Sequence, residues 1–188
     1  MSIIRRAVEQ ALTSDAVIPR DQVLAWANEA HDTQTLALLY RLTGEAYERI
    51  VPNLGKEQTC RLIRRYLLEC IRLDPQDGLA FDRYGAARTL EAWFDHLADA
   101  ESAWDVLSES AADVTALFLD CSAEVRTAIE TGFLEHVMEQ ERLRPLFSNW
   151  QMDDRLRSAW ENALAWGEAH PRFVKGLRKR GASAAPEE

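Results

Sequence analysis

The stretch CSAEVRTAIETGFLEHV, residues 121–137, sets a Cys and a His among three Glu, one Arg and one Gly. It reads either as a reactive cluster or as one helix of a scaffold. Val125, Ile129 and Phe133 recur at steps of four, the spacing of one helix face. Ser122 stands where a cap belongs, and the pattern predicts a helix over 123–141. Cys121 and His136 then occupy opposite ends of that helix, about 22 Å apart at 1.5 Å per residue. They cannot act together, so the stretch is read as scaffold, with Gly132 permitting close helix approach.

The same periodicity runs outward along the chain. Helices are expected over 2–13, 19–30 with Pro19 in the first turn, and 33–42 capped by Asp32, with a short one ending at Val51. KEQTCRLIRRYLLECIRL, 56–73, carries a broad apolar stripe of Leu62, Ile63, Tyr66, Leu67, Cys70 and Ile71. DPQD at 74–77 breaks the chain, since Pro75 disfavours helix at Asp74 and Asp77 can restart one over 78–98. Further helices follow over 101–119 and, after a connection with Pro145, over 154–168 capped by Asp153. No stretch alternates as a strand does, so no sheet is expected.

VRTAIETGF at 125–133 is echoed by LRSAWENAL at 156–164, an offset of 31 that aligns Arg126 with Arg157 and Gly132 with Ala163. WFDHL at 93–97 echoes FLEHV at 133–137 more weakly, at an offset of 40. Unequal offsets describe an irregular repeat whose units bury their faces by stacking. SAEVRTAIETGFL resembles the second helix of a HEAT repeat. YGAARTLEAWFDHL, LFSNW and AWGEAHP, with the stretch above, resemble a family of short bacterial helical proteins that read like toxin-neutralising immunity proteins. The resemblance covers about residues 80–171 and implies an all-α stack of antiparallel helix pairs, about eight helices. The chain divides into N-terminal helices (1–52) and a repeat-like stack (56–171) within one domain ending near 180. The tail 181–188 is expected to be mobile.

Three cysteines, an odd number, do not make a simple disulfide framework. Cys60 and Cys70 on one helix stand about 15 Å apart, beyond bridging distance. With Cys121 they read as reduced thiols, and MSIIRRAVEQAL lacks a secretory h-region, so a cytoplasmic protein is expected. No apolar run spans a bilayer. Among His31, His96, His136 and His170 there is neither His-Glu-x-x-His nor Glu-x-x-His, so no metal site is assigned. His136 and Glu139 should be helix neighbours, and His170 should close the last helix. No Gly-rich phosphate loop, Gly-x-Ser-x-Gly or Cys-x-x-Cys occurs, and no cofactor or catalytic residue is assigned. Trp93, Trp104, Trp160 and Trp166 lie on apolar stripes and are assigned to the core. Trp150, in a connection, is the candidate exposed anchor.

Charge carries the functional reading. The net charge is −9, yet 91–141 holds thirteen acids and one base, Arg126. Segment 56–88 holds seven bases against five acids, and 172–180 five bases and no acid. Glu101, Asp105, Glu109 and Asp113 follow at steps of four on one ridge, where each like-charged pair costs about 0.2–0.5 kcal/mol. Such a surface suits a positive partner and opposes nucleic acid. The expectation is a non-enzymatic immunity protein that occludes a basic toxin surface or active site, through Asp95, Asp99, Glu101, Asp105, Glu109, Asp113 and Trp150. Two other readings are a general HEAT-type adaptor and an enzyme with a helical-bundle site near His96 and His136.

Overall fold

Eighteen residues of uninterrupted helix, α4 (Lys56–Leu73), lie at the centre of the chain and match the expected span. Cys60, Leu62, Tyr66, Leu67, Cys70 and Ile71 form its buried stripe. The fold is known from a computed structural model that describes residues 2–100 and 103–171. Glu101, the segment 172–180 and the tail 181–188 lie outside the described residues.

Before α4 come α1 (Ile3–Thr13), α2 (Arg20–Glu29) and α3 (Thr33–Glu45), then a 3₁₀ turn at Tyr47–Arg49. Asp32 caps α3 as expected, accepting from the Thr35 amide at 2.8 Å. The expectation of no sheet needs one correction. Ile18–Pro19 (β1) and Ile50–Val51 (β2) pair in parallel, Ile18 opposite Ile50. Both isoleucines are buried. Their burial brings two connecting segments side by side, a contact too short to leave any alternation in the sequence. The architecture is otherwise all-α.

After α4 come α5 (Arg83–Ala98), α6 (Trp104–Leu119) and α7 (Ala123–Ile129). A π-helical segment, Glu130–Leu134, runs into α8 (Glu135–Met138). A 3₁₀ helix over Arg144–Met152 leads to α9 (Arg157–Ala169). Helix α5 starts five residues later than expected. Asp77 caps only a turn, accepting from Leu79 and Ala80, whereas Asp82 accepts from the Gly85 amide and starts the helix. The expected 123–141 helix is likewise interrupted by the π segment and shortened, and the Ser122 side chain makes no capping bond. Asp153 accepts from the Arg155 amide in the turn before α9 and does not cap the helix itself.

The main helix packings are α3 on α1 and α4, α5 on α4, the π segment on α5, and α9 on α8. One apolar core runs through them from Val8 to Ala163. Phe94, Phe133, Phe147 and Trp150 form its aromatic centre, with Phe94 and Phe133 edge to face at 5.0 Å. Contacts between α5 and the π segment–α8 stretch climb together along both chains, from Tyr84 with Gly132 through Arg88 with His136 to Glu91 with Gln140. These two helices therefore run parallel. Helix α9 returns antiparallel to α8, with Gly167 against Met138.

Candidate functional site

Helix α6 buries Leu107, Ser110, Ala111, Val114 and Phe118. Its outer face leaves Asp105, Ser108, Glu109, Ala112, Asp113 and Ala116 exposed. The acids at steps of four thus share a ridge, as the spacing requires. Their repulsion is relieved from α4. Arg64, only 15% exposed, places Nη1 3.2 Å from Glu109 and Nε 2.8 Å from Asp113. Its Nη1 also donates to the Ser110 hydroxyl at 3.4 Å. Asp105, in the first turn of α6, makes none of these pairs and suits the positive end of the helix. A shallow groove lies on each side of α6. One is floored by Leu68 and Leu117 and rimmed by Arg61, Arg72 and Asp113. The other runs past Ala112, Ala116, Leu119, Pro145 and Leu146.

Asp95 and Asp99 belong to a different seam. Both are ion-paired to Arg142, which follows α8. With Arg88–His136 and the buried Glu91–Gln140 bond at 3.2 Å, they form a ladder of polar rungs between α5 and the α8 region. The guanidinium of Arg142 hydrogen-bonds the Asp99 carboxylate and holds it below the usual carboxylate range. The acids predicted as one surface are therefore divided between the α4–α6 and α5–α8 seams.

Trp150 corrects the sequence reading outright. It is fully buried and donates its indole N–H to the Thr115 hydroxyl at 2.8 Å. An indole packed between Phe118 and Phe147 cannot anchor a partner. Trp166, assigned to the core, is instead 39% exposed, stacks on His170 at 4.1 Å and donates to Glu139 at 3.3 Å. His136 meets Glu139 at 2.6 Å, and His170 closes α9 on the Trp166 carbonyl. His96 is exposed in the last turn of α5 and makes no contact with the His136 cluster. The cysteines are free thiols, and burial pushes Cys70 up to about 11 and raises Cys60 and Cys121. No group of three or more His, Cys, Asp or Glu among the described residues is placed to hold a metal ion. Nor is any described helix long and apolar enough to cross a membrane.

The use made of the arginines leaves no pattern that sequence reading detects. The last carbonyls of a helix lack intrahelical partners, and here a distant guanidinium supplies donors. Arg49 reaches Ala11 and Leu12 in the last turn of α1 and Ser14 and Ala16 just beyond it. Arg65 reaches Ala27 and Ala30 at the end of α2, and Arg83 reaches Ile71 at the end of α4. Arg126 does the same for Phe118 of α6, Arg144 for Met138 of α8, and Arg157 for Gln151 of the 3₁₀ helix. Arg126 and Arg157, the aligned arginines of the echo, thus perform one local task, closing the helical segment before them. Comparison with family models, curated proteins and solved structures finds no match to this chain.

Proposed function

We propose that the protein is a non-catalytic binding module that docks the outer face of α6 on a positively charged protein. One observation carries this reading. Asp105, Glu109 and Asp113 project from a ridge beside Ser108, Ala112 and Ala116, whose small side chains let a partner approach the helix closely. The pairs with Arg64 leave Glu109 70% and Asp113 48% exposed, so both keep acceptor capacity toward a second cation. Surface pairs of this kind contribute about 0–1 kcal/mol and exchange partners at little cost. A face of this sign draws a basic partner in at long range and sets its register.

The resemblance over 80–171 suggests the partner class, a cognate toxin domain whose basic active-site surface would be covered. Binding to the product of the adjoining gene, by calorimetry and by stopped-flow at 50 and 500 mM salt, tests this. The association rate should fall steeply with salt. D105K, away from the Arg64 pairs, should weaken binding about tenfold without altering the fold, and D105K/E109K/D113K should weaken it further. Unchanged affinity in the triple variant would sink the α6 reading.

A further inference from the structure

The seam between α5 and α8 begins, at its solvent end, with an imidazole held between groups of opposite demand. Arg88 of α5 contacts Nε2 of His136, and Nδ1 of the same ring lies 2.6 Å from Glu139 Oε1. A guanidinium has donors only. Nε2 must therefore offer its lone pair. The Glu139 oxygen also accepts from Trp166 Nε1, so it acts as an acceptor toward Nδ1, which must carry the proton. One state satisfies both neighbours: the neutral ring protonated at Nδ1.

We propose that His136 is a pH-sensitive latch, tying α5 to α8 and α9 when neutral and releasing Arg88 when protonated. A proton arriving at Nε2 turns the Arg88 contact into two cationic donors face to face. The same proton strengthens the bond to Glu139, so the α8–α9 link tightens as the α5 link opens. Arg88 from α5 and Glu139 contact the ring directly; Glu135, next to it in sequence, lies near both His136 and His170 of α9, Glu130 of the π segment lies near Glu135, and Glu91, one turn on from Arg88, pairs with Gln140. Arg88 is the cation placed on Nε2 itself. The neighbouring rung, Gln140 donating to buried Glu91, is a separate bond between the same two elements. The His136 end of the seam adjoins the π segment, where i→i+5 bonding already departs from α geometry. Below the transition the exposed Arg88 guanidinium is freed from the seam.

Side-chain ¹⁵N NMR of the full chain between pH 8 and pH 5 tests this. At pH 8 His136 should be the Nδ1–H tautomer and Arg88 Nε–H should be ordered. On acidification the Arg88 order parameter should fall, with a midpoint matching the His136 titration. H136Q should abolish the Arg88 transition. R88A should leave His136 a mixture of tautomers at pH 8, a readout independent of how well H136Q folds. An Nε2–H tautomer at pH 8, an Arg88 signal indifferent to His136, or a transition surviving in H136Q overturns the proposal.

Discussion

At Gly167 a Cβ would stand 2.3 Å from both the carbonyl carbon and the oxygen of Met138, and 2.8 Å from the Glu139 nitrogen. All three are backbone atoms, and backbone cannot rotate aside as a side chain does. Gly167→Ala would gain about 1 kcal/mol of helix propensity, yet it must push α9 off α8. Overpacking of this kind costs about 1–3 kcal/mol, occasionally more. Net destabilisation is expected in urea unfolding, with α9 losing amide protection first. Gly132→Ala meets the Ala87 Cβ at 3.0 Å, so α5 must yield by a few tenths of an ångström, while the Tyr84 ring at 3.5 Å is in ordinary contact and the gain in helix propensity offsets part of the strain. That variant should cost about 1 kcal/mol or less. A milder effect at Gly167 than at Gly132 would contradict the packing described for α8 and α9.

Local signals placed most helices, although the Asp77, Ser122 and Asp153 caps did not stand where expected. The apolar stripe of α4 and the Asp32 cap need only residues three or four apart, and both stand where expected. Features set by distant partners were not. Trp150 and Trp166 exchange their expected roles because tertiary packing, not stripe membership, decides which indole finds the Phe cluster. The division of the acidic ridge follows from Arg64 and Arg142, which reach it across 45 and 43 residues of chain. The closures by Arg49 and Arg65 are non-local in the same way, each reaching back 38 residues, and the first makes a prediction at this scale. Arg49→Ala should cost about 2–3 kcal/mol, since hydrogen bonds to charged groups contribute about 1.5–3 kcal/mol and several carbonyls lose their donor together. Arg49→Lys should recover little, because an ammonium cannot span the Ala11, Leu12 and Ser14 carbonyls as a planar fork does. Full rescue by Lys in a thermal melt would reduce the role of Arg49 to its charge alone.

Across the whole molecule the acids fall into two groups that pull stability in opposite directions with pH. Glu130 and Glu135 are raised above the usual range, first by burial and then by neighbouring carboxylates. The folded chain binds more protons there than the unfolded one, so stability increases as pH falls from their raised pKa values toward about 4.3. Asp77, Asp99 and Asp153 are lowered, by the Ala80 amide, by Arg142 and by Arg155 respectively, with Asp153 held at about 2. Their contribution is present above about pH 3.9 and is lost as pH falls through the folded values. The net charge of −9 adds a term of the first sign, because protonating any acid lessens self-repulsion. Stability should therefore peak on the acid side of neutrality and not at pH 7–8. Urea midpoints measured from pH 3 to 8 check this, with E130Q flattening the limb above about pH 4.3 and slightly raising stability at pH 7. Arg64→Ala supplies the electrostatic control. It strips the ridge of its shared cation, so the loss, about 1 kcal/mol at low salt, should shrink as the screening length falls toward about 3 Å at 1 M. A loss that salt leaves unchanged would show that Arg64 acts through the packing of its stem, and the ridge would then tolerate its own repulsion without help from α4.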